Sequence, residues 1–211
     1  RILRAGAAIE LLHTSALVHD DVMDRDVERR GEPATHVRFA KEAPAGVDPD
    51  EFGTAAAVLV GDLALVLSER LMRTCGFEGG RLDAAMTRFD RMRVEMAAGQ
   101  FLDVAGSERR ERVRALKTAS YTAEGPVLIG AALAGADAGA EGALGVFGRL
   151  LGEAFQLRDD ALDEAPGAAS ASEIDDLLSR AARALEGAPL RPQGAGALAA
   201  IANALRMGAA G

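Results

Sequence analysis

Ile9-Glu-Leu-Leu-His13-Thr-Ser15-Ala16-Leu-Val-His19-Asp20-Asp21-Val-Met-Asp24-Arg25-Asp-Val-Glu-Arg29-Arg30, residues 9 to 30, is a mostly apolar run that ends in a cluster of acids followed by a pair of arginines. At 3.6 residues per turn, Asp20 and Asp24 fall one above the other on one helix face, with Asp21 beside them. Like charges so close repel, and a helix C-terminus adds negative potential of its own, so the cluster costs stability until a cation neutralises it. Taken alone, the pattern reads equally well as a solvated acidic helix end balanced by Arg25, Arg29 and Arg30. Residues 155 to 163, Phe-Gln-Leu-Arg-Asp-Asp-Ala-Leu-Asp, repeat the spacing after a second apolar run, with Asp159 and Asp163 on one face and Asp160 beside them. Two such clusters are hard to ascribe to solvation. If their helices face one another across a cavity, their carboxylates suit magnesium, which keeps several waters and takes further ligands from a phosphorylated substrate. The residues point to a diphosphate bridged by metal.

Composition bounds the fold. The 211 residues are 49% hydrophobic but hold one Tyr, no Trp and seven Phe. A β-rich domain draws on aromatic and β-branched residues, whereas Ala, Leu, Arg and Glu dominate here and favour helix. A single all-α domain over 1–211 is expected, with a sizeable core. The net charge of −8 excludes nucleic acid as a partner, because no basic stripe is present to neutralise phosphates. It does not exclude diphosphates, since bound magnesium inverts the local sign. The lone Cys75 excludes an internal disulfide framework and fits a reducing, cytoplasmic setting. The longest uncharged apolar stretch, 125–136, is too short to span a bilayer, so no transmembrane segment is expected.

In chain order, residues 1–24 read as one helix, apolar nearly all round and therefore central and buried. His13 and His19 read as hydrogen-bonded packing residues rather than ligands, because magnesium prefers oxygen. A Pro- and Gly-rich loop over 43–50 precedes a helix over 52–75, in which Asp62 stands as a buried acid at a helix crossing or as a direct participant. A helix over 82–103 carries an apolar stripe of Leu82, Met86, Phe89, Met92 and Met96, and ends in Gly99-Gln100 with Asp103. Gly125-Pro126 marks an interrupted or kinked helix. The tail holds an amphipathic helix over 174–185 and a last short helix.

The order of these landmarks resembles one family, the trans-type isoprenyl diphosphate synthases or polyprenyl synthetases. The matching residues are Asp20-Asp21-Val22-Met23-Asp24, Arg29-Arg30-Gly31, Gly61-Asp62, Gly99-Gln100 with Asp103, Lys117-Thr118, Phe155-Gln156 and Asp159-Asp160-Ala161-Leu162-Asp163. They cover roughly residues 1 to 164, and their order is more specific than any one of them. The resemblance implies a bundle of antiparallel helices around a deep apolar cavity, with both acidic motifs at its mouth, and a homodimer. It implies head-to-tail condensation of isopentenyl diphosphate onto an allylic diphosphate. On this reading Asp20, Asp24 and Asp159 hold magnesium, about three ions with substrate bound, and Asp21, Asp160 and Asp163 support them. Arg29 and Lys117 bind the allylic diphosphate, and Arg30 the isopentenyl diphosphate. Gln156 and Thr118 present oxygen dipoles to the allylic cation. Ser15 and Ala16, five and four residues before Asp20, are small, which leaves the cavity floor open and favours products of twenty carbons or more.

The chain departs from that family in lacking an opening Gly-Lys-Arg stretch and any lysine after Lys117. An unseen N-terminal portion and an unseen segment near 164–165 are expected. Two other readings share part of the pattern. A class I terpene cyclase uses the same ionisation but lines its cavity with aromatic residues, which are scarce here. A non-catalytic subunit of a heteromeric synthase typically loses acids from its motifs, whereas all six stand in this chain.

Overall fold

Ala5, Ala8, Leu12, Ser15, Val18 and Asp21 recur at steps of three and four along α1 (Ile2–Asp24), and these are the positions the helix buries. The computed structural model describes residues 1–106, 121–162 and 169–207. The apolar surround of 1–24 predicts burial on every side. Instead Ile2 and Leu3 are 58% and 86% exposed, and one stripe suffices to hold the helix. That stripe packs on α3 (Pro49–Arg73), which buries mainly small residues, Gly53, Ala57, Gly61, Ala64, Ser68 and Met72. The two helices run antiparallel. Arg4 Nη1 donates to Thr74 O (3.2 Å) near one end, and His19 Nε2 lies 3.1 Å from Val58 O towards the other.

α3 begins three residues before the expected boundary because Asp48 caps it. The Asp48 carboxylate accepts from the backbone N–H of Asp50 and of Glu51, both at 3.0 Å, and Pro49 supplies the first helical φ. The short α2 (Thr35–Ala40) lies on α3 where Gly53 leaves room; a Cβ there would stand 2.2 Å from His36 O. By length and composition alone α3 is also apolar enough to cross a membrane. Asp62 is the single charge within 52–68, so this run is longer than the uncharged stretch 125–136. Its small-residue stripe is spent on α1 and α2.

The chain divides into two compact units, Arg1–Phe77 and 78–211. In the second, α4 (Gly79–Val104) buries Met86, Phe89 and Met92 from the predicted stripe. A wide π-type turn over 121–124 runs into α5 (Gly125–Ala134), which is the interruption that Gly125-Pro126 signalled. α6 (Ala138–Leu162) lies antiparallel to α5, with Gly148 against Glu124 and Gly145 against Leu128. Phe147, Leu151, Leu178, Ala181 and Ala202 belong to one core cluster that ties α6 to α7 (Ala171–Ala184) and α8 (Pro192–Met207). α7 starts earlier than expected because Ser170 and Glu173 form a capping box, and the final helix, at 16 residues, is not short. The all-α expectation holds. Among the described residues there are eight α-helices, and the paired strands are β1 (Glu28–Arg29) and β2 (Glu32–Pro33).

Close approach and open space on one helix give opposite predictions for one substitution. A Cβ at Gly148 would stand 2.7 Å from Glu124 Cα, so Gly148→Ala must move backbone and should cost about 1–3 kcal/mol. Nothing lies within 4 Å of a Cβ at Gly142, so Gly142→Ala should stabilise by about 0.5–1 kcal/mol. Urea unfolding of the two variants checks both signs.

Candidate active site

The first acidic patch is built by a chain reversal. α1 stops at Asp24 because Arg25 adopts the left-handed conformation (φ 60°, ψ 35°), and the N–H groups of Arg25 and Asp26 both turn back onto Asp21 O. Arg29 pairs with Glu32 across β1 and β2, leaving Arg30 (φ 56°) and Gly31 (φ 79°) as a two-residue turn with both central residues left-handed. Glycine takes that conformation freely, whereas at Arg30 it costs about 1 kcal/mol.

The reversal at Arg25 brings Arg29, on the first strand of the hairpin, back to the acids. Its Nε donates to Asp21 Oδ1 at 2.5 Å, while Nη2 stands 3.5 Å from Asp26 Oδ2 and 3.7 Å from Asp20 Oδ2. Burial opposes the charged guanidinium, but the Asp21 hydrogen bond and the charges of Asp21, Asp20 and Asp26 outweigh it and raise its pKa above the ordinary range. The protein thus supplies one cation to its own cluster. It also separates the acids by role: the Asp21 side chain is 5% exposed and committed to Arg29, whereas Asp20 meets Arg29 at a looser distance and Asp24 stands exposed. Asp26, three residues before Arg29, joins this cluster unanticipated; that i, i+3 spacing was the signal available.

The histidines do not act as an oxygen-type ligand set. Burial, offset in part by Glu10, together with the charges of Arg30 and Arg29 lowers the pKa of His13. His19 hydrogen-bonds to Val58 O. Asp62 is a correction: it is 61% exposed, 3.6 Å from His19 Nε2, because Gly61 takes the buried position and the next residue swings about 100° away. Ser15 lies in the buried stripe at 2% exposure, and Ala16 is half-buried beside it.

The second patch stands in the last turn of α6. Asp159 and Asp160 are half-buried there, and Gln156 donates its side-chain N–H to Asp160 Oδ1 at 2.9 Å. Lys117, Thr118 and Asp163 lie outside the described residues. Among the described residues no group of three or more His, Cys, Asp or Glu closes around a metal position. Among the described residues, each patch is a partial set of hard oxygen donors already drawing in a cation or an amide. That fits magnesium, whose remaining ligands come from water and phosphate oxygens rather than from an all-protein cage.

Residues 1–177 match the family model for polyprenyl synthetases. A geranylgeranyl diphosphate synthase of Methanosarcina mazei is 35% identical over 170 residues, covering 77% of this chain and 48% of that protein. A (2E,6E)-farnesyl diphosphate synthase of Mycobacterium tuberculosis is 33% identical over 164 residues, covering 74% and 41%. The chain therefore spans about half the length of the curated relatives it matches. Among solved structures, the geranylgeranyl pyrophosphate synthase of Corynebacterium glutamicum, complexed with isoprenyl diphosphate and magnesium, superposes with a TM-score of 0.87 at 25% identity. The match covers 97% of this chain and 78% of that one.

The division of labour among the acids is testable without metal. Asp21→Ala removes the nearest and most buried of the three carboxylates around Arg29 and should cost about 1–2 kcal/mol in chelator-treated protein, whereas Glu28→Ala, at an exposed acid on β1, should change stability by less than about 0.5 kcal/mol. Equal effects in urea unfolding would contradict the pairing. His13 adds a pH dependence. Its folded pKa is below the unfolded value of about 6.5, so the unfolded state binds the proton first and stability falls as pH drops below that value. His13→Gln should flatten that slope.

Proposed function

The chain belongs to the polyprenyl synthetase family, and from that premise we propose that it is a prenyltransferase condensing isopentenyl diphosphate with an allylic diphosphate, with products of twenty carbons or more favoured. The observation that carries this reading is the repeat of one acid pattern at the C-terminal ends of two core helices, α1 and α6. A helix C-terminus is the costly end for carboxylates, so the repeat is retained for what the acids bind.

Asp20, Asp24 and Asp159 are the proposed magnesium ligands, with Asp21, Asp160 and Asp163 in support. When bound, magnesium withdraws charge from the diphosphate leaving group and lowers the barrier to ionisation. Arg29, anchored on Asp21, presents its remaining N–H groups to the allylic diphosphate together with Lys117, and Arg30 serves the isopentenyl diphosphate. With the nitrogen end of the Gln156 amide on Asp160, its oxygen end is left to face the allylic cation, as Thr118 does. The released diphosphate takes the final proton. We further propose a single bundle domain acting as a cytoplasmic homodimer. The exposed row of Leu59, Leu63 and Val66 on α3 supports pairing through a flat apolar face.

Incubation of the purified chain with magnesium, isopentenyl diphosphate and allylic primers of several lengths, followed by product chromatography, tests the reading. Asp20→Ala and Asp159→Ala should each lower turnover by about a hundredfold or more, since several kcal/mol of charge stabilisation depend on the metal, with folding intact. Parallel loss of melting temperature and activity would make the acids structural. Ala16, about 5 Å below Asp20 at one turn, is the proposed floor, since Ser15 beside it is taken up in the buried stripe packed on α3. Ala16→Phe should shorten the product, and an unchanged distribution from an active variant would put the floor elsewhere.

A further inference from the structure

Gly61-Asp62 is the one pair of matched landmarks in Arg1–Phe77 that the proposed chemistry does not use. The structure shows what occupies it. A Cβ built at Gly61 would stand 2.1 Å from Nε2 of His19, 2.4 Å from Cδ2 and 2.9 Å from Cε1, so the imidazole edge fills the space that any other residue's side chain would take. Val58 O, 3.1 Å from Nε2, can only accept, so Nε2 carries the hydrogen and donates it. Asp62 Oδ1, 3.6 Å from the same nitrogen, adds an electrostatic hold. The ring is thus fixed on three sides by one turn of α3.

We propose that His19 is a positioning residue, keyed into the Gly61 notch of α3 so as to set the rotation of α1 and hence the direction in which Asp20 and Asp24 present their oxygens. The inference rests on the proposed magnesium role of those acids. Its physical basis is the helix itself. His19 and Asp20 are adjacent, so any roll of α1 about its axis that moves the ring moves the Asp20 carboxylate with it. The small stripe on the α3 side, Ala57, Gly61 and Ala64, allows close approach but offers little to resist such a roll. A ring seated in a notch and hydrogen-bonded at its tip does resist it. This also accounts for the otherwise bland histidine in a helix that ends in acids, and for a glycine inside a 25-residue helix, where it costs about 0.5–1 kcal/mol relative to alanine.

The experiment follows manganese binding by electron paramagnetic resonance on the full chain with inorganic diphosphate, alongside the magnesium dependence of kcat and KM. Gly61→Ala and His19→Ala should each weaken metal binding about tenfold or more, the usual consequence of losing a residue that orients a ligand. His19→Gln, which keeps a donor at similar reach, should recover part of the loss. Gly61→Ala should add nothing in a His19→Ala background, because the new methyl then enters vacated space. Folded His19→Ala with unchanged manganese affinity would overturn the inference, as would equal damage from Gly61→Ala in both backgrounds. If Gly61→Ala fails to fold, the comparison of His19→Ala with His19→Gln decides alone. Wild-type protein that binds no manganese with diphosphate would instead sink the functional reading, a separate outcome.

Discussion

The carboxylate of Asp21 and the guanidinium of Arg29, 2.5 Å apart, are the contact on which the acidic end of α1 depends. Acids placed at a helix C-terminus repel one another and the helix dipole. A single arginine answers both, and it is brought back to them by the reversal at Arg25, whose left-handed backbone ends α1. The pairing also sorts the cluster, since it commits the most buried of these carboxylates to Arg29.

The packing of α1 on α3 is the complementary constraint. Large apolar residues do little of it. Ala5, Ala8 and Ser15 on one helix and Ala57, Gly61 and Ala64 on the other let the backbones come close, and the ring of His19 is seated in the notch that Gly61 leaves. Close packing of small groups gives many weak dispersion contacts and a defined geometry, whereas the larger apolar side chains Leu59, Leu63 and Val66 remain on the outer face of α3. The second unit is built differently. Phe147, Leu151 and Leu178 supply bulk there, and backbone meets backbone closely at Gly148 beneath Glu124.

What the residues could reveal unaided was periodicity, composition and motif order. Alanine- and leucine-rich runs with few aromatic residues specify helices, and the repeated acid spacing specifies oxygen donors on helix ends, because both follow from 3.6 residues per turn and need no partner. The boundaries missed by a few residues were legible too, in Asp48-Pro49 and in Ser170 with Glu173, where a side chain caps its own helix. Which face of an apolar helix is covered, however, was decided by the neighbour. Leu3 and Ile2 look as buried as Leu12 in the sequence and are exposed because α3 lies along the other stripe. In the same way, of the two readings of Asp62 the buried acid falls away, because the helix crossing is claimed by Gly61. Likewise Arg25, Arg29 and Arg30 all read as able to balance the acids, and only the fold shows that Arg29 is the one held by Asp21. Spacing along the chain sets which groups share a face; which of those groups meet, and at what distance, depends on a second element whose approach no local pattern encodes.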